Sequence, residues 1–289
     1  MAYKGPDISA YQGNIDIKKL ASQVDFFIFR AYVGLSKDKK VERNVKLCIE
    51  AGKPYGLYIY SYALNTSRAK QEAQNMINLA NSFKVKPNFL VIDMEDADGY
   101  KRKNGMPSNQ TLRDICTVEG DMFEKAGYYA MVYASSSWFK NQLKGLTRFA
   151  KWIAHWPTKN GKQTGNATSS AGENANNCAI WQFTSQGSLN GYNGRLDMNY
   201  GYKDIVVRKT NSKPSSPDKP KSEIKNTVGQ TKTLKSLTTL WSKSNLTGTR
   251  YTYLPQTKVI IKKNISSTVD YIYIPKTGRY AYCKNNVYK

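Results

Sequence analysis

The sequence predicts an α/β protein, with a parallel sheet closed as a (β/α) barrel, followed by a linker and a small all-β module. Three observations lead there. Strand-like and helix-like segments alternate over roughly the first 200 residues, the pattern of a parallel sheet with helices returning along its faces. Within that region, Asn88–Asp96 (NFLVIDMED) sets the apolar residues Phe89–Ile92 between Pro87 and an acidic run. A strand buried on both faces reads this way. From Arg208 the alternation stops at a Lys/Pro/Ser-rich stretch, RKTNSKPSSPDKPKSEIKN, beyond which short β-forming runs are separated by turn residues.

Taken in order, short strands are expected at Pro6–Ser9, Phe26–Val33, Pro54–Ala63, Phe89–Glu95, Tyr128–Ala134, Ala150–His155 and Ala179–Ser185. Each is rich in β-branched or aromatic residues and bounded by turn formers. Helical patterns intervene at Ile17–Gln23, Val41–Ala51, Ser67–Phe83 and Leu112–Ala126. In the third, Ala69, Ala73, Met76, Ile77 and Ala80 recur at helical spacing, with Thr66 or Ser67 as candidate N-cap. Gly52 and Gly127 stand just past helix ends, where a left-handed residue is wanted. Helices fade after Lys144, and the polar stretch Thr158–Asn177 reads as a long loop. The boundaries that follow are a barrel over 1–207, a linker over 208–226 and a β module over 227–289.

Charge narrows the partners. The chain carries 44 Lys and Arg against 21 Asp and Glu, a net +23, and residues 208–289 hold 17 of the basic and 3 of the acidic ones. Such a bias favours polyanions, either nucleic acid or anionic bacterial wall polymers. No nucleic-acid-binding motif accompanies the charge. The four cysteines, Cys48, Cys116, Cys178 and Cys283, form no metal or disulfide spacing and read as free thiols. A single histidine, His155, and the lack of a nucleophile elbow set acyl transfer aside. No metal or cofactor is called for. No apolar run reaches a membrane span, and the opening MAYKGPDISAYQG lacks a signal-peptide pattern.

In a barrel the chemistry belongs at strand C-termini. Strand alternation turns Asp93 and Glu95 to one side and Met94 and Asp96 to the other. Two adjacent, partly desolvated carboxyls raise each other's pKa, which suits one of them to general acid work; a solvated acidic loop start is the plain alternative. Other candidates at strand ends are Asp7, the tyrosines Tyr58, Tyr60 and Tyr62, Trp152 with His155, Trp181 with Gln182, and Asp197 after the turn Gly191–Gly194. Carboxyls ringed by Tyr and Trp suit a carbohydrate, since aromatic faces stack on sugar CH faces and carboxyls grip hydroxyls or protonate a glycosidic oxygen.

The segments GPDISAYQG, FLVIDMED and AIWQFTSQGSLNGYNGRLDMNYGY resemble three signature segments of glycoside hydrolase family 25, the muramidases that cut between N-acetylmuramic acid and N-acetylglucosamine in peptidoglycan. The resemblance spans roughly residues 3–207. It implies a flattened (β/α)5β3 barrel with Glu95 as general acid. Asp93 is implied as the partner that steers the substrate acetamido group or tunes the acid, and Asp7 and Asp197 as further carboxylates of the cleft. Tyr58 and Tyr60 are implied to line the substrate. Ile59 stands where members often carry His, and the strand end Arg30-Ala31-Tyr32 departs from the usual pattern. The C-terminal module resembles SH3-type and surface-layer-type modules of wall hydrolases, with Tyr271, Tyr273, Tyr280 and Tyr282 as candidate wall-binding residues. Together these imply a phage endolysin held in the host cytoplasm until a holin opens the membrane. A bacterial autolysin, a non-catalytic wall-binding protein and a charge-driven nucleic-acid binder are the alternatives.

Overall fold

The computed structural model describes residues 2–159, 162–163, 167 and 178–202, and in the C-terminal region 231–233, 238–241, 250–253, 258–264, 269–275, 277 and 279–284. The chain divides into two compact units, 1–217 and 218–289. The expected linker 208–226 and most of the expected loop 158–177 lie outside the described residues.

The first unit begins with β1 (Tyr3–Ile8), a 3₁₀ turn (Ala10–Gln12), α1 (Ile17–Ala21) and β2 (Phe27–Val33). Ser9 and Gln12 close a reciprocal capping box over the turn. There follow β3 (Ser36–Lys37), α2 (Val41–Glu50), β4 (Tyr55–Tyr60), α3 (Thr66–Ser82) and β5 (Phe89–Asp93). Asn65, one residue before the expected candidates, caps α3 by accepting from the Arg68 amide. Next come α4 (Tyr100–Lys103), α5 (Asn109–Lys125), β6 (Tyr129–Ser135), α6 (Ser136–Lys140), β7 (Ala150–Ala154), a small ribbon of β8 (Thr158–Lys159) and β9 (Lys162–Gln163), and the hairpin β10 (Ile180–Leu189) and β11 (Tyr192–Gly201).

Eight strands close on themselves in the order β1-β11-β10-β7-β6-β5-β4-β2, with β2 returning to β1. Every pairing is parallel except those of β11, which runs antiparallel to β10 and to β1. Closure removes the open edges that an eight-stranded sheet would otherwise present. Alternation along the strands divides the apolar residues into two cores. One packs the helices against the outer strand faces and includes Ile59, Ile92, Met94 and Trp181. The other fills the barrel with Phe26, Ile28, Phe89, Val91, Met131 and Trp152. Gly56 is required there, since a Cβ would lie 2.1 Å from the Phe89 ring.

The second unit contributes β12 (Thr231–Thr233), β13 (Thr238–Trp241), β14 (Arg250–Tyr253), β15 (Lys258–Asn264), β16 (Val269–Ile274) and β17 (Arg279–Lys284). They form one sheet in the order β12-β15-β16-β17-β13-β14, antiparallel throughout. Ile272 and Ile274 are buried with Leu240, Val259 and Ile261. Tyr271 and Tyr273 alternate with those isoleucines and so take the opposite face. The Tyr271 ring lies 4.8 Å from that of Tyr282, its cross-strand partner. Tyr280 pairs with Tyr273 in backbone register, and the Lys262 ammonium sits 5.6 Å from the Tyr273 ring centre.

Candidate active site

Register assembles the site. Tyr60, Asp93 and Tyr133 occupy one level on β4, β5 and β6, and Asp7 pairs directly with Asp197 across β1 and β11. All lie toward the C-terminal ends of the parallel strands, where successive βα loops open. The adjoining cleft has a volume of about 640 Å³ and is lined by Glu95, Tyr133, Ser135–Ser137, Trp138, His155, Trp156 and Gln163, among others.

The four carboxyls form two hydrogen-bonded pairs. Asp93 is buried, and that burial, reinforced by the charge of Glu95, pushes its pKa well up. Glu95 is half-buried just past the end of β5; burial raises its pKa while the hydrogen bond from Asp93 opposes the rise. In that hydrogen bond Asp93 is the donor and Glu95 the acceptor. One Asp93 carboxyl oxygen, Oδ1, is buried with no protein partner. Across the barrel mouth, burial and the Asp7 charge push Asp197 up to about 8, so that Asp197 donates to Asp7. Asp7 Oδ2 also accepts from Asn199 Nδ2 at 2.8 Å and from Gln182 Nε2 at 3.0 Å. Each pair holds a proton between its two carboxyls, which makes their crowding tolerable.

The expected aromatic residues separate into three roles. Tyr60 and Tyr62 both donate to Asp98, the Ala97 amide donates back to Tyr60 Oη at 3.1 Å, and Tyr62 stacks on Tyr100 with ring centres 3.9 Å apart. Tyr58 is half-buried and meets Trp152 edge-on at 5.9 Å. Trp152 itself is buried, with Nε1 donating to Asn199 Oδ1 at 2.8 Å, so it supports the cleft floor instead of facing a ligand. Trp181 is a correction. It is buried in the outer core beside Phe183 and Tyr200, and its Nε1 donates to the His155 carbonyl at 2.7 Å, out of reach of the cleft. Its neighbour Gln182 faces inward but is also buried; its Oε1 accepts from Tyr133 Oη and Trp156 Nε1 while its amide holds Asp7.

Asp96 also departs from the alternation argument, because β5 ends at Asp93 and the chain turns. Asp96 is buried and accepts from the Lys101 amide at 2.7 Å and the Arg102 amide at 3.3 Å, anchoring the start of α4. Asp98 fastens the two tyrosines. Residues not anticipated from sequence are Asn199, Tyr133, Trp156, Asp38 and Lys101. Asn199 was accessible in principle, since it lies two residues from Asp197 on the same strand face. Asp38 is buried, accepts from Arg30 Nε at 2.9 Å and from the Ala10 amide at 2.9 Å, and so fixes the unusual end of β2. Among the described residues no group of three or more His, Cys, Asp or Glu could hold a metal ion. No helix among them is long and apolar enough to cross a membrane.

A closed α/β barrel with proton-sharing carboxyls and tyrosines at its strand ends has the architecture of a glycoside hydrolase. The chain belongs to the glycosyl hydrolases family 25, whose family model matches residues 6–192. Among solved structures it is similar to the modular autolysin LytC of Streptococcus pneumoniae, determined with a synthetic peptidoglycan ligand. Identity is 27% over 70% of this chain and 47% of that one, with a TM-score of 0.59. The chain thus spans about half the length of that autolysin. The catalytic domain of the endolysin ply40, from a bacteriophage of Listeria monocytogenes, is 24% identical over 73% of this chain and 98% of that one, with a TM-score of 0.60. The spore cortex lytic enzyme SleM of Clostridium perfringens aligns over 98% of both chains at 17% identity and a TM-score of 0.57. No curated protein sequence matches significantly.

Proposed function

We propose that the first unit is a 1,4-β-N-acetylmuramidase that cleaves the bond between N-acetylmuramic acid and N-acetylglucosamine in peptidoglycan. The observation that carries this reading is the Asp93–Glu95 pair, two hydrogen-bonded carboxyls with raised pKa at the edge of an aromatic-lined cleft. Family membership and the likeness to an autolysin crystallised with a peptidoglycan ligand support it. The distribution of helices between strands suits the (β/α)5β3 form of barrel.

In this reading the proton of the Asp93–Glu95 hydrogen bond passes through Glu95, the more exposed member, to the glycosidic oxygen as the C1–O bond breaks, leaving Asp93 ionised. Asp93 and the Asp7–Asp197 pair face the positive charge that develops at C1. Water then adds to C1 and returns a proton to the site. Tyr58, Tyr60 and Tyr62 supply the sugar-facing surface. The second unit is proposed as an SH3-like or surface-layer-like wall anchor, with Tyr271, Tyr273, Tyr280 and Tyr282 on its binding face and its basic charge drawn to anionic wall polymers. The whole chain then acts as a phage endolysin released through a holin-made lesion, with an autolysin as the alternative role.

The test is Glu95→Gln, which preserves shape but has no proton to give. Turnover on purified peptidoglycan should fall by at least about 10²-fold with thermal stability and wall binding retained. The wild-type products should carry N-acetylmuramic acid at the new reducing ends. Near-normal lysis by a folded Glu95→Gln protein, or N-acetylglucosamine at those ends, refutes the assignment.

A further inference from the structure

The geometry points to Lys101 as a positioning residue for the acid pair: its buried ammonium ties the Glu95 and Ser61 backbones together and holds a fixed positive charge behind the carboxyls. This rests on the reading of Asp93 and Glu95 as the reacting acids. A basic run, Lys101-Arg102-Lys103 in the short helix α4, would ordinarily be solvated. Lys101 instead has no exposed surface. Its Nζ donates to the Ser61 carbonyl at 2.5 Å and to the Glu95 carbonyl at 2.7 Å. The Tyr60 ring centre lies 5.7 Å away. Two loops that follow different barrel strands, β4 and β5, are therefore clamped by one side chain. The clamp grips the backbone of the proposed proton donor itself.

Burying an ammonium is costly unless negative charge surrounds it. Carboxyl groups approach it from several elements, although burial outweighs them and lowers the Lys101 pKa. Asp93 ends β5, Asp96 and Asp98 lie on the following loop, and Glu72 comes from α3. Glu119 on α5 and Glu95 also feel the charge of Lys101, as does the Cys116 thiol. Behind the clamp, Ser61 Oγ bridges Glu72 Oε2 at 2.8 Å and Glu119 Oε1 at 3.3 Å, while Glu119 Oε2 is buried without a partner. The Tyr62 amide and Arg68 Nε complete the ring around Glu72, each at 3.3 Å. Ser61 is thus fixed from both ends, by Lys101 at its carbonyl and by two buried glutamates at its hydroxyl. The Lys101 ammonium makes no direct hydrogen bond to a carboxylate among the described contacts, so its charge acts on Asp93 and Glu95 through space.

A purely structural cation and a positioning cation differ in one readout, the titration of the acid pair. Lys101→Met keeps the length of the side chain and removes the charge. Both carboxyls should then protonate more readily, moving the pH–activity profile on soluble muropeptide fragments to higher pH by about one unit. Turnover should fall at least tenfold while wall binding is retained. Lys103→Met, two residues along and facing solvent, is the control and should leave the profile in place. Should Lys101→Met fail to fold, the unmutated protein supplies a second measurement. The carbon-13 signal of Lys101 Cε should shift as the Asp93–Glu95 pair titrates and should report a protonated amine throughout the active range. A folded Lys101→Met protein with the wild-type profile overturns the inference, as does a Cε signal that ignores the pair. Glu95→Gln run alongside separates the two readings. Activity in Glu95→Gln removes the acid assignment, whereas coupling at Cε reports on Lys101 independently.

Discussion

The pairing of Asp7 with Asp197 across β1 and β11 has a measurable effect on stability. Burial and the neighbouring Asp7 charge move Asp197 from an ordinary 3.8 to about 8 in the folded protein. Between those values the native state holds a proton that the unfolded chain has released. The contribution is therefore fully present below about pH 4 and is lost as pH rises through 8. Four pH units at about 1.4 kcal/mol each set a ceiling near 6 kcal/mol. The proton is shared with Asp7 and the protein relaxes around a charge, so about half, ~3 kcal/mol, is the expected loss. About three of those four units fall between pH 5 and pH 8.5, ~2 kcal/mol, which for a barrel of this size is a fall of about 4–8 °C in Tm. Asp197→Asn cannot ionise, yet its amide can still donate to Asp7. Its Tm should match or fall slightly below wild type at pH 5 and exceed it at pH 8.5. Thermal unfolding of the full chain followed by tryptophan fluorescence reads this, since four of the five tryptophans lie before residue 208. Parallel Tm profiles for the two proteins would refute the shared proton.

Two further outcomes are expected. Asp96→Asn should cost about 1–3 kcal/mol and lower lytic activity, because a buried carboxylate that accepts from two α4 amides and lies 3.4 Å from Arg102 Nε is replaced by a group with one acceptor; wild-type denaturation and turnover would refute it. Cutting the chain near Lys209 should leave hydrolysis of soluble muropeptides intact and reduce whole-cell lysis several-fold, with the deficit shrinking as salt rises; equal lysis of cells at low salt would deny the second unit an anchoring role.

Much of the barrel was legible because its strands are buried on both faces and write themselves as apolar runs between turn residues. The position of the acidic cluster was legible because alternation at the end of such a run turns Asp93 and Glu95 to one side, while a solvated acidic loop start reads the same way in sequence. Strict alternation would also have separated Trp181 from Gln182, which as strand neighbours cannot both face the cleft. It could not place Asp96 or Asp98, because alternation holds only while the strand lasts and β5 ends at Asp93. Lys101 gave no signal at all. In sequence it is one cation among three, and only the close approach of the Ser61 and Glu95 carbonyls distinguishes it. The two-residue strands β3, β8 and β9 are too short for any periodicity to register.

The antiparallel insertion of β11 between β10 and β1 gives the order of synthesis a consequence. Strand β1 carries Asp7 and leaves the ribosome first, yet its partner Asp197 arrives some 190 residues later. Until then β1 and β10 each present an unpaired edge, the buried Asn199 and Trp152 contacts are missing, and Asp7 lacks two of its three supports. A nascent or prematurely terminated chain therefore holds Asp93 and Glu95 on a parallel sheet but has no closed barrel around them. The last barrel strand acts as a clasp, so that the four carboxyls come together only when the ends of the barrel meet.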